Sequence, residues 1–229
     1  MNEKDKNYQI KKFKQRTKVL KSIGVDGVFV DKDKKDYILN LLNEKGDSPS
    51  TKLGSAFKSL HEIKVAVEKC KLCSLCKTRK KTVFSDGSDQ ADIMFVGEGP
   101  GKDEDILGLP FVGRAGQLLD KILSAMELSR DTVYICNIVK CRPPDNRKPT
   151  LDEMKSCSSY LAGQIAFVQP KIIVCLGATA AEGILGTKER IMDLRSKFFD
   201  MHNTKVLVTY HPAALLRDPS RKKLVWEDM

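Results

Sequence analysis

Four short apolar runs, each closed by a turn and followed by a stretch of helical spacing, constrain this chain more than any other feature. They are Ile93–Val96, the stretch TVYICNIVKC at 132–141, KIIVCLG at 171–177 and TKVLVTY at 204–210. Strands that alternate with helices predict a mostly parallel sheet with helices on both faces. In such sheets a ligand sits beyond the carboxyl ends of the strands. The loops of interest are therefore GEGPG after the first run, the segment after NIVKC, LGATAA and HPAALLR.

The intervening helices are legible from spacing. In AGQLLDKILSAMEL, Leu118, Leu119, Ile122, Leu123 and Met126 share one face. LDEMKSCSSYLAGQIAFV follows Thr150, with Glu153 three residues on, which predicts a capping box. FKSLHEIKVAVEKC, from residue 57, has helical spacing and runs into the first cysteines. Residues 1–65 differ. They are rich in Lys, Asp, Glu, Asn and Ser, and are broken only by GVFV at 27–30 and YILNLL at 37–42. GDSPSTKLGS at 46–55 reads as a linker. The expected organisation is a basic extension over 1–65, partly disordered or helical, and a main domain over 66–229. A small helical subdomain packed on the main body is the other reading of the extension.

Composition sets the setting. The chain has 229 residues, 41% of them hydrophobic, and a formal net charge of +10. Its apolar runs are too short to span a bilayer, and its first residues lack the apolar core of a secretory signal. A cytoplasmic, nucleoid-associated location in a prokaryote or a virus-infected cell is expected. The basic balance favours a polyanionic partner, nucleic acid first.

Seven cysteines in such a compartment argue against a disulfide framework. Cys70 and Cys73 form a C-x-x-C pair that Cys76 extends, and Cys141 and Cys157 lie downstream among polar and basic residues. Four thiolates hold zinc or an iron–sulfur cluster, and here five candidates compete. Cys136 and Cys175 sit within apolar strands and read as buried small hydrophobes. GEGPGKDED is neither a Walker A loop nor a dinucleotide fingerprint. Of three histidines, His61 and His202 have polar surroundings, whereas His211 lies at a strand end beside a proline.

These segments, CKLCSLC, FVGEGPGKDED, GLPFVGRAGQLLDKIL, VYICNIVKCRPPDNRKPT, Cys157, KIIVCLGATAA and TYHPAALLR, occur in order and together closely resemble the family 4 uracil-DNA glycosylases, which bind a four-iron four-sulfur cluster. The match covers roughly residues 66–228. It implies a three-layer α/β/α sandwich with a mostly parallel four-stranded central sheet. It also implies hydrolysis of the N-glycosidic bond of uracil in single- and double-stranded DNA. In this family a final helix usually continues past the point where this chain ends in VWEDM, so a short one is expected here.

The resemblance assigns roles residue by residue. Phe111 would stack on the uracil ring. Asn137 would read N3 and O4, because an amide both donates and accepts. Glu98, Gly99 and Pro100 would form the loop beneath the base. Glu104 would order the pocket or the water, and His211 would stabilise the anion developing on O2. Cys70, Cys73, Cys141 and Cys157 would bind the 4Fe-4S cluster, with Cys76 left over. Arg114, Arg142, Arg147 and Arg217 would contact phosphates, and Leu215 and Leu216 would fill the gap left by the flipped nucleotide. Well-known relatives in the wider superfamily carry an Asp where this chain has Gly99. A strong general base is therefore missing, and Glu98 and Glu104 remain as groups that could orient the water. Uracil-containing DNA, a monomeric state and a replication or repair protein bound by the extension are the expected partners and assembly. Two alternatives are a superfamily branch that traps the abasic sugar covalently and a non-catalytic iron–sulfur DNA-binding module. The first needs an inserted histidine between GEGPG and Cys141, which is absent. The second has no use for Phe111, Asn137 and His211 together.

Overall fold

The computed structural model describes residues 57–201 and 204–229. The expectations for YILNLL, for the 46–55 linker, for most of the extension and for His202 lie outside the described residues.

Six strands form one sheet: β1 (Asp86–Gly87), β2 (Ile93–Gly97), β3 (Tyr134–Asn137), β4 (Ile172–Leu176), β5 (Phe198–Met201) and β6 (Thr204–Thr209). Their order is β1-β3-β2-β4-β6-β5. The four anticipated strands are the parallel centre, β3-β2-β4-β6. Antiparallel β1 and β5 close the two edges, so the sheet has six strands where four were expected. Neither edge strand has a pattern to read. β1 is two residues of a polar turn, and β5 (FFDM) alternates between exposed and half-buried positions.

The helices are α1 (Leu60–Glu68), α2 (Lys102–Leu107), α3 (Arg114–Ala125), α4 (Leu151–Val168), α5 (Ala178–Leu185), α6 (Ile191–Leu194), α7 (Pro212–Arg217) and α8 (Lys222–Asp228). Residues 60–65, on the extension side of the 65/66 boundary, form the first turns of α1 and bury Ile63. The chain leaves β2 towards β3 and then returns across β2 to β4. Crossovers of one hand running in opposite directions must use opposite faces. One face accordingly packs α1, α4 and α5 over Met94, Val96, Tyr134, Cys136, Ile173 and Cys175. The other packs α3 over Phe95, Ile135, Val174 and Leu176. Burying one such apolar side chain contributes roughly 1.5–3 kcal/mol.

The α3 face is as wide as its spacing predicts. Leu119 and Leu123 enter the sheet core, while Leu118 and Ile122 turn to a small cluster with Tyr210, Leu215 and Val225. Thr150 and Glu153 form the expected reciprocal cap of α4. Cys136 and Cys175 are fully buried, as expected, and His61 is exposed. At the far end of the chain, the buried Asp228 carboxylate pairs with Arg195 at 3.0 Å and accepts from Thr209 Oγ1 at 2.6 Å. That bond ties the short α8 to the strand that delivers His211. Among the described residues no helix is long and apolar enough to cross a membrane.

Candidate active site

The chain reverses direction at β2, and its carboxyl end is where the site is built. Gly97 is the last residue of β2 and lies beside Asn137 in register. A Cβ on Gly97 would lie 2.4 Å from Asn137 Oδ1 and 2.5 Å from Phe111 Cζ. Glycine is thus required for the amide and the ring to share this space. The following loop is fixed by its backbone, with Ile138 N–H donating to Gly97 O at 2.9 Å and Val139 N–H to Glu98 O at 3.2 Å.

Asn137 is 2% exposed. Its carbonyl accepts from the buried Lys140 ammonium at 2.7 Å. Lys140 also donates to Gln164, which in turn donates to Tyr134 Oη and Phe84 O. Burial pushes the Lys140 ammonium below its ordinary range.

Phe111 is buried, yet it holds a positive φ of 54°. Its ring stacks on His211, with centroids 5.5 Å apart. Glu104 organises the loop around it. One carboxylate oxygen accepts from Val112 N–H and Gly113 N–H, each at 2.9 Å, and the other from Gly101 N–H at 3.1 Å. Both oxygens are therefore engaged with backbone. Glu98 differs, with one oxygen accepting from Thr179 on the first turn of α5.

His211 follows β6 and caps α7. Its Nδ1 accepts from Ala213 N–H at 3.1 Å. A neutral imidazole that accepts at Nδ1 carries its proton on Nε2. Desolvation, helped by the charge of Arg217 and opposed by Glu104, lowers its pKa to about 4. The ring is thus a neutral donor at neutral pH. Gly177, with φ of 94°, makes room for it, since a Cβ there would lie 3.1 Å from His211 Cβ.

Gly99 explains the missing carboxylate. A Cβ there would lie 2.7 Å from Val139 Cγ2, so an Asp does not fit without moving the segment after β3.

Cys70 and Cys73 follow α1, Cys141 follows β3, and Cys157 lies on α4. Cys73 is within electrostatic reach of Cys70, Cys141 and Cys157, and Cys157 also of Cys70 and Cys141. Cys76 lies within electrostatic reach of Cys73 and, like Cys70 and Cys141, of Arg79. Arg79 donates to Cys141 Sγ at 3.1 Å and to Cys70 O at 2.9 Å. A positive donor on a sulfur suits a thiolate site. Among the described residues no three donors converge as they would on a single ion.

The expected DNA contacts divide. Arg114 and Arg217 are exposed. Arg142 is bound to Asn146 at 2.8 Å. Arg147 makes a two-pronged ion pair with Glu153, at 2.8 and 2.7 Å, which holds that carboxyl at about 2. Glu153 also accepts from Ser74, so Arg147 ties the cysteine loop to α4. Leu215 requires a correction. It is 1% exposed and packs with Tyr210 and Val225, so in this structure it is a core residue. Leu216, 39% exposed, points outward. Arg130, which sequence reasoning missed, reaches the Phe111 loop from the turn before β3. It lies in SRDT, a segment with no signal beyond ordinary turn polarity.

The family model described as the uracil DNA glycosylase superfamily matches residues 84–229. The type-4 uracil-DNA glycosylase of Archaeoglobus fulgidus is 41% identical over 174 residues, 72% of this chain and 87% of that protein. That of Thermotoga maritima is 45% identical over 167 residues, covering 71% of this chain and 87% of its own. That of Saccharolobus solfataricus is 45% identical over 171 residues, 71% of this chain and 79% of its length.

Proposed function

This chain belongs to the type-4 uracil-DNA glycosylases and excises uracil from DNA, and from that premise we propose how its own residues divide the work. The substrate is uracil in single- or double-stranded DNA, and the products are free uracil and an abasic site. The observation that carries the mechanism is the state of His211. Its Nδ1 is committed to Ala213 N–H, which leaves Nε2–H as a fixed neutral donor.

A base flipped out of the stack needs a face, an edge reader and a partner for developing charge. Phe111 supplies the face. Its ring and that of His211 lie 5.5 Å apart. A base between two rings needs about 7 Å, two contacts of ~3.5 Å. Uracil therefore stacks on Phe111 beside His211, not between the rings. Asn137 reads the edge, donating to O4 and accepting from N3–H, a pattern that cytosine reverses. As the bond to the sugar breaks, negative charge grows on O2, and His211 Nε2–H and backbone groups of the Glu98–Pro100 loop stabilise it. The sugar develops positive charge and water then attacks. Glu98 orients that water in preference to Glu104, whose oxygens both hold backbone N–H groups.

Cys70, Cys73, Cys141 and Cys157 hold a 4Fe-4S cluster. The all-thiol donor set and the Arg79 donor on Cys141 support that choice. The cluster serves as a cross-link between the end of α1, the segment after Asn137, and α4. Arg114, Arg217 and Leu216 face the DNA. The enzyme acts as a monomer near the nucleoid, with residues 1–65 adding sequence-independent phosphate contacts or docking a replication or repair protein.

Incubation with a uracil-containing single-stranded oligonucleotide, followed by alkaline cleavage, tests the reading. Strand scission at uracil and not at cytosine is expected. Tight binding without scission would favour the non-catalytic module.

A further inference from the structure

We infer that Arg130 is a positioning residue for uracil recognition, acting by locking Phe111 in its left-handed backbone conformation; this rests on the reading that Phe111 stacks on the base. Phe111 is a bulky residue at φ 54°, a region that persists only where the surroundings over-determine it. Three constraints meet there. Arg130 donates from Nη1 to Pro110 O at 3.0 Å and from Nη2 to Phe111 O. Glu104 takes the next two N–H groups, Val112 and Gly113. Gly116 on α3 offers no side chain where a Cβ would lie 1.7 Å from Phe111 O.

Arg130 is itself held on two sides. Nη1 pairs with Asp86 at 2.8 Å and Nε with Asp120 at 2.7 Å. A planar fork fixed by two carboxylates points its remaining N–H groups in set directions, which a lysine cannot do. The carbonyls before and after the Phe111 Cα are thereby pinned, and the direction of the Cα–Cβ bond follows. Arg130 sits in the turn before β3, and its bonds go to Asp86, Asp120 and the carbonyls of Pro110 and Phe111. Its effect on uracil passes through the ring of Phe111.

The test is a double-mutant cycle read by single-turnover excision and by inhibition with free uracil. Arg130→Gln is expected to lower the rate about tenfold or more and to weaken uracil inhibition, with Arg130→Lys failing to restore either. In a Phe111→Ala background the same change is expected to add less than about threefold, because the ring it positions is gone. Losses that multiply in the double variant would overturn the inference. A Phe111→Ala enzyme as active as wild type would instead refute the stacking on which it rests. Should Arg130→Gln fail to fold, Asp120→Asn removes one anchor at a half-exposed position. It is expected to weaken uracil inhibition only when Phe111 is present. An unchanged inhibition constant would overturn the inference.

Discussion

The ring of Phe111 occupies the volume that a side chain on Gly97 would fill, since a Cβ there would lie 2.5 Å from Phe111 Cζ. The same Cβ would collide with the Asn137 amide at 2.4 Å. One missing side chain thus lets the Phe111 ring and the Asn137 amide meet over the end of β2.

Gly97→Ala is therefore predicted to displace both groups while the sheet core stays intact. A misplacement of about 1 Å at a reacting geometry costs on the order of 10²-fold in rate. Excision on uracil DNA is expected to fall by that order, with the far-ultraviolet dichroism unchanged. Full activity would mean that neither group is needed where it stands.

Gly99 gives a second prediction. Gly99→Asp alone is expected to lower the rate, because its Cβ meets Val139 Cγ2 at 2.7 Å and the loop must shift. Pairing it with Val139→Ala makes room, and the double variant is expected to recover part of the loss. Single-turnover rates on one oligonucleotide check this. A faster Gly99→Asp enzyme would show that the loop is not packed as described.

The state of His211 predicts a pH dependence. Burial lowers its pKa to about 4, against an ordinary value near 6.5. Excision should therefore be level from about pH 8 to pH 5, with no inflection near 6.5. Stability follows the same group. Between about 4 and 6.5 the unfolded chain binds more protons than the folded one, so the His211 contribution is complete above 6.5 and is lost as pH falls towards 4. Melting temperatures of wild type and His211→Gln across that window are expected to converge at low pH. Parallel curves would contradict it.

The thiol arrangement predicts which cysteines matter. Cys76→Ser is expected to keep the bound iron and the brown colour, whereas Cys141→Ser and Cys157→Ser lose both. Iron analysis of anaerobically purified protein checks this. Loss of iron in Cys76→Ser would mean that the ligand set is wrong.

The parallel centre of the fold was legible because β2, β3, β4 and β6 carry near-continuous apolar runs, the mark of strands covered on both faces. The edges were not, since β1 is two residues long and Phe198 in β5 is 61% exposed. The GEGPG loop and His211 stood out at strand ends, whereas the roles of Glu98, Phe111 and Asn137 came from the resemblance to the family 4 uracil-DNA glycosylases. It could not apportion Leu215 and Leu216, neighbours on one short helix that differ only in which side α3 and α8 cover. Nor could it reveal that Arg147 is spent on Glu153, or that Arg130 reaches back to carbonyls 19 and 20 residues earlier. Those are tertiary choices, and no local spacing encodes them.

The central claim is that a neutral His211 stabilises charge that exists only as the glycosidic bond breaks. Single-turnover excision by His211→Ala, with binding to an uncleavable uracil analogue in DNA measured alongside, tests it most directly. The rate is predicted to fall about 10²–10³-fold while binding stays nearly unchanged, as for other oxyanion donors. A rate within about threefold of wild type would contradict the claim, since a transition-state donor cannot be removed so cheaply.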